Sequence, residues 1–179
     1  MTPVVIDTNV LLVANGRHQD VSGKCREACV SALLARQQSG MVVIDDGYRI
    51  LREYGNRTNP NQPKGVGDAF LKWLLQNHYN ASRVCRVPIT ETAPDRFEEF
   101  PDPMLEAQFD PPDRKFAAVA NAHPAKPRIW QGSDSKWLDW WPQLRAKGIL
   151  VDFICPADVA KFHAKKFPER ELPAFPPKR

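Results

Sequence analysis

Five short apolar runs, separated by stretches of helical periodicity, leave this chain few architectures. Val4-Val5-Ile6 and Met41 to Ile44 are continuous and rich in β-branched residues, the pattern of strands buried on both faces. Val84 to Ile89 reads as extended, with Pro88 placing it at an edge or a bend. Arg128-Ile129-Trp130 and Ile149 to Ile154 complete the set. Helical spacing fills the intervals: Val10 to Ala14, Ser22 to Gln38 before the C-cap Gly40, a helix carrying Tyr48, Leu51 and Tyr54, and Gly67 to Asn77. Arg114 to Ala122, Lys136 to Lys147 and Ala157 to Phe167 follow. Alternation of this kind predicts an α/β fold, a parallel sheet with helices on both faces. Ligands of such sheets bind at the C-terminal strand ends, near the switch in strand order. That rule singles out Asp7 and the residues just after Trp130.

Composition narrows the class. The chain has 179 residues, 42% hydrophobic and 26% charged, as one soluble domain requires. No run reaches the ~18 apolar residues of a membrane span. The opening MTPVVIDTNV lacks a basic start and is broken by Asp7, so no signal peptide is expected. Cys25, Cys29, Cys85 and Cys155 are too few for a disulfide scaffold, and we read them as buried free thiols in a reducing, cytoplasmic setting. A metal site from Cys25, Cys29 and His18 lacks any supporting second motif. The 17 prolines are uneven: five lie between Thr90 and Pro112 and four between Lys166 and Arg179. We therefore expect one compact domain over 1–160 with a long Pro-rich surface insertion at about 90–112, holding at most one short helix, and a basic tail over 161–179. That tail carries six basic and two acidic residues, which accounts for the whole net charge of +4.

Two strands run directly into acid. Ile6 leads to Asp7, and Ile129-Trp130 leads through Gln131-Gly132-Ser133 to Asp134, so both carboxylates would leave the same edge of a parallel sheet. Glu53 lies on the helix after the second strand, and Asp113 heads the Arg114 helix with Asp110 beside it. Converging carboxylates raise one another's pKa unless a cation joins them. Oxygen donors without His or Cys select Mg²⁺ or Mn²⁺. A carboxylate-held Mg²⁺ suits phosphodiester hydrolysis, because it ionises water and neutralises the leaving oxygen.

The stretch Val5-Ile6-Asp7-Thr8-Asn9-Val10-Leu11 resembles the opening motif of PIN-domain nucleases. Ile50-Leu51-Arg52-Glu53-Tyr54, Asp113 to Ala120, and Gly132-Ser133-Asp134-Ser135-Lys136-Trp137-Leu138 resemble that family's later motifs, in order, over roughly residues 3–155. The resemblance implies a three-layer α/β/α sandwich and a metal-dependent endonuclease, most often of single-stranded RNA. Position by position, it assigns metal-binding and catalytic roles to Asp7, Glu53, Asp113 and Asp134, and supporting polar roles to Thr8, Asn9 and Ser133. Lys136 stands where many relatives carry a further Asp, which implies fewer metals or a phosphate contact. Asp110 is a candidate extra acid, and Arg52, Arg114, Lys115 and Lys136 are candidate substrate contacts. For a small member of this family the resemblance implies a toxin with an antitoxin partner, and often a homodimer. Phage defence, RNA processing and a non-catalytic binding module are the alternatives.

Plainer roles compete. Asp7, Asp113 and Asp134 could each cap a helix, and capping is the favoured reading for Asp45 and Asp46. Trp137 and Trp141 have the spacing of core residues rather than of a base-stacking platform.

Overall fold

The computed structural model describes residues 2–177. In chain order, β1 (Pro3–Ile6) is followed by α1 (Thr8–Ala14) and α2 (Gly23–Ser39), then β2 (Met41–Asp45), α3 (Arg49–Arg57) and α4 (Val66–Asn77). Next come β3 (Val84–Val87), the strands β4 (Glu91–Ala93) and β5 (Arg96–Phe97), α5 (Pro103–Gln108), a 3-10 turn at Pro111–Asp113 and α6 (Arg114–Ala122). The chain closes with β6 (Arg128–Gln131), α7 (Trp137–Ala146), β7 (Val151–Phe153) and α8 (Pro156–Lys166).

Five strands form one parallel sheet in the order β3-β2-β1-β6-β7. β1 is central, pairing Val4 with Val42 on one side and Val5 with Ile129 on the other. The chain winds outward through β2 to β3, then returns across β1 to β6 and β7. Right-handed crossovers therefore put α1 to α4 on one face and α6 and α7 on the other. Accordingly α1 packs on α2 and α4, while α6 lies across β1, β2 and β6. This is the expected three-layer α/β/α sandwich. Val5, Ile6, Ile44 and Ile129 are wholly buried between the helical layers. Each such side chain contributes roughly 1.5–3 kcal/mol.

The segment 90–112 departs from its expected loop character. β4 and β5 form an antiparallel hairpin, and Phe97, Phe100, Leu105 and Phe109 are buried. Their irregular spacing hides them from periodicity arguments, because tertiary contacts order them. Phe109 stacks on Trp140 with ring centres 3.9 Å apart and meets Trp137 edge-on at 5.1 Å. Glu106 accepts a hydrogen bond from the Phe97 amide at 2.9 Å, and Asn121 donates to the Glu99 carbonyl at 2.9 Å. Trp137 and Trp140 are thus core residues.

The C-terminal boundary also shifts. Residues 161–166 belong to α8, so the tail begins only after Lys166. It lies along the β7 edge: Trp141 donates to the Ala174 carbonyl at 3.0 Å, Phe175 meets Phe153 edge-on, and Arg170 pairs with Asp139 at 2.7 Å. Lys178 and Arg179 lie outside the described residues. Among the described residues no helix is long and apolar enough to cross a membrane.

The free-thiol expectation fails at two positions. Cys25 and Cys155 form a disulfide across 130 residues, while Cys29 and Cys85 are free. The bond ties the start of α8 to α2, beside Ser22, whose amide and hydroxyl both donate to Asp158. Separation in sequence concealed this pairing, and with it goes the compositional ground for a reducing compartment. Denatured without reductant, the protein should titrate as two thiols, rising to four after reduction. Reduction should lower unfolding stability by about 2–4 kcal/mol, measured by urea denaturation; four thiols without reductant would refute the bond.

Candidate metal centre at the sheet switch point

The order β3-β2-β1-β6-β7 has its switch between β1 and β6. Asp7 leaves β1 there, and Gly132-Ser133-Asp134 leaves β6. The two turns are stitched together by Asn9, whose Oδ1 accepts from the Ser133 amide at 2.7 Å and the Ser133 hydroxyl at 3.3 Å. Gly132 permits this approach, since a Cβ there would come within 2.4 Å of Asn9 Oδ1. Below them Tyr54, wholly buried, donates its hydroxyl to the Ile6 carbonyl and so anchors the residue before Asp7. Tyr54 looks like an ordinary core aromatic in the sequence; nothing there marks its hydroxyl.

Asp7 is almost completely buried. Its Oδ1 accepts from the Asn9 amide at 2.8 Å, capping α1, but its Oδ2 is buried with no hydrogen-bond partner among the described residues. Burial, followed by the Asp113 charge, holds the Asp7 carboxyl well above the usual carboxylate range; Asp134 and Glu53 push the same way, against the Asn9 amide. Asp113 does not cap α6 through its side chain. Desolvation pushes it up to about 7, helped by Asp134 and Asp110 and opposed by Lys136. Asp134 accepts from the Lys136 amide at 3.0 Å and is half-buried. Asp7, Glu53, Asp113 and Asp134 therefore share one electrostatic environment, although they come from four separate segments.

Glu53 projects from α3, whose Leu51 and Tyr54 face the core. One carboxylate oxygen accepts from the Thr8 hydroxyl and the other pairs with Lys115. Asp110 pairs with Lys136. The bond to Asp110 is also the main reason that the Lys136 ammonium is held above its usual range. Asp45 and Asp46 do not join. Asp45 is buried and accepts from the Arg49 and Ile50 amides at 2.8 and 2.9 Å, a helix cap.

The candidate substrate contacts divide. Arg52 is exposed, and with Arg49, Arg57 and Lys115 it lines a cavity of about 330 Å³ beside Glu53. Arg114 is not available for substrate. It is buried, and donates to the carbonyls of Phe109 at 3.1 Å and Asp95 at 3.3 Å, which fastens the insertion to α6. Its place beside Asp113 in sequence suggested a substrate role, but helix geometry turns it toward the protein. Lys115 is also largely buried, bridging Glu53 and the Pro112 carbonyl. Arg57 and the hairpin residues Asp95 and Phe97 are cavity residues that sequence reasoning missed, because the insertion's course was not legible.

The donor set fits a hard divalent cation. It is all oxygen, it includes the unpartnered Asp7 Oδ2, and five carboxylates face only two lysines. Among the described residues, the one trio with ligand atoms mutually within 4.8 Å is Cys25, Cys29 and Cys155, not the acids.

The raised Asp113 pKa has a definite sign in stability. Unfolded, the group ionises near 3.9; folded, near 7. Between those values the folded state holds the extra proton, so stability falls as pH rises through the window and stays lower above it. In EDTA, Asp113→Asn should exceed wild type by roughly 1–3 kcal/mol at pH 8 and match it near pH 4, by urea denaturation. A gap that does not widen with pH would refute the shift. Compared with protein-family models, curated proteins and solved structures, the chain gives no match.

Proposed function

We propose that this protein is a PIN-type endonuclease that hydrolyses phosphodiester bonds of single-stranded RNA with Mg²⁺ or Mn²⁺. The observation that carries the reading is the convergence of Asp7, Glu53, Asp113 and Asp134 at the sheet switch point, around a buried carboxylate oxygen that has no partner. Repulsion among these acids costs stability that an incoming cation would recover.

Asp7, Asp113 and Asp134 would hold the ion, directly or through water, and Glu53 would face it from α3. The bound metal supplies an ionised water and neutralises charge on the leaving oxygen. Asn9 and Ser133 keep the two acid-bearing turns in register, and Thr8 orients Glu53. Lys136 is a cation at the rim of the acidic site, suited to phosphate oxygens, whereas the buried Lys115 holds Glu53 in place. A toxin role, an antitoxin partner, a homodimer and a cytoplasmic location go with the family resemblance alone. A non-catalytic module is the second reading, favoured by one observation: Lys136 occupies the position of a further acid and pairs with Asp110.

Purified full-length protein should cleave single-stranded RNA in Mn²⁺, act poorly on DNA of the same sequence, and stop in EDTA. Asp7→Asn should reduce cleavage by at least about 10²-fold while circular dichroism stays unchanged. Undiminished cleavage by Asp7→Asn would overturn the mechanism. Absence of both cleavage and calorimetric Mn²⁺ binding would favour the non-catalytic module.

A further inference from the structure

Three depressions adjoin in series on the side of the molecule that carries α3. The first is the arginine-lined cavity beside Glu53. The second is a small apolar dish formed by Tyr48, Leu51, Arg52, Leu75 and His78. The third runs past His78 and Tyr79 to Arg86 on the edge strand β3. Arg52 belongs to both the first and the second, and His78 to both the second and the third. The depressions therefore adjoin at Arg52 and His78, a row that starts beside Glu53.

Its far half is an aromatic shelf. The His78 ring lies 4.1 Å from Tyr79 and 5.6 Å from Tyr48. The Arg86 guanidinium lies 4.8 Å over the Tyr79 ring, and donates to the Tyr48 hydroxyl at 2.7 Å. Tyr79 is 74% exposed, with the His78 ring tilted 45° to it and edge-on to Tyr48. Tyr48 adopts left-handed backbone, φ 58°, where a bulky residue is strained. The turn sets its ring at the edge of the core, half-buried, beside His78. The near half is basic: Arg49, Arg52, Arg57 and Lys115 face Glu53 and Asp95, while Asp46 is the acid lining the far depression. Arg49 is paired with Glu91 at 2.8 Å, which leaves Arg52 and Arg57 as the cavity's arginines without an ion pair among the described residues.

We propose that this groove binds single-stranded nucleic acid, with bases stacked on the shelf of Tyr48, His78 and Tyr79 and phosphates met by Arg52, Arg57 and Arg86. Alternating aromatic and cationic groups match such a strand: every base offers a π-face, and every linkage a negative charge. A folded acidic protein would use the arginines but has no repeated planar groups for the rings. The inference names the substrate path of the nuclease reading and rests on it for the strand's destination, not for its binding.

The test is anisotropy of fluorescein-labelled oligouridine titrated with full-length protein in EDTA, so that binding is read without cleavage. Wild type should bind, and Tyr79→Ala should weaken binding about 5- to 100-fold. Arg52→Ala should lower the slope of log affinity against log salt by about 1. Lys24→Ala, an exposed lysine on α2 away from the groove, should bind as wild type. Weakening by Tyr79→Ala without any Mn²⁺-dependent cleavage would uphold the groove and sink the nuclease. Cleavage with unaltered binding by Tyr79→Ala and Arg52→Ala would do the reverse. No binding by wild type would overturn the groove and leave the shelf to a protein partner.

Discussion

A carboxylate oxygen buried without a hydrogen-bond partner is expensive, and Asp7 Oδ2 is one. The central strand β1 places it. Paired on both sides and flanked by helices on both faces, β1 leaves its last side chain nowhere to reach water. The Tyr54 hydroxyl on the Ile6 carbonyl and the Asn9 bridge to Ser133 then hold the strand end still. The core therefore maintains the strain. Hydrophobic burial along β1, β2 and β6 outweighs the cost of one unsatisfied acid, and the same packing stops that acid from escaping.

The other carboxylates are brought to Asp7 by a chain of contacts that passes through the insertion. The 3-10 turn at Pro111–Asp113 sets the entry to α6. Arg114, buried directly behind Asp113, grips the Phe109 and Asp95 carbonyls. Phe109 in turn packs against Trp137 and Trp140 of α7, the helix that follows Asp134. The Asp113 and Asp134 segments are thus locked through one phenylalanine, and the Pro-rich segment is a structural part of the acidic centre. The same segment contributes Asp95 and Phe97 to the basic cavity beside Glu53. One addition to the sandwich hence both supports the acids and shapes their approach.

Lys115 and Lys136 decide how much negative charge the centre shows. Each takes one acid at the edge, Glu53 or Asp110, and leaves Asp7, Asp113 and Asp134 to repel one another inside. The carboxylates within therefore outnumber the cations, which stay at the rim.

Strand and helix positions were legible because burial on a sheet and on a helix face imposes periods of about 2 and 3.6 residues. The helical period is printed in the Leu51 to Tyr54 spacing, while Val4 to Ile6 and Met41 to Ile44 are continuous apolar runs, the mark of strands buried on both faces. Asp7 and Asp134 were legible for a related reason: one directly follows an apolar strand, the other stands just beyond one, and a parallel sheet collects its strand ends at one edge. Contacts between residues distant in sequence carry no such period. The Cys25–Cys155 bond, the burial of Phe97 and Phe109, the inward turn of Arg114 and the pairing of Lys136 with Asp110 arise only when separate crossovers are packed together. Local sequence determined the layers and the edge where acids gather. Tertiary packing decided which acids and which cations pair, and where a row of depressions starts beside them, because those outcomes depend on distances that close only across the folded core.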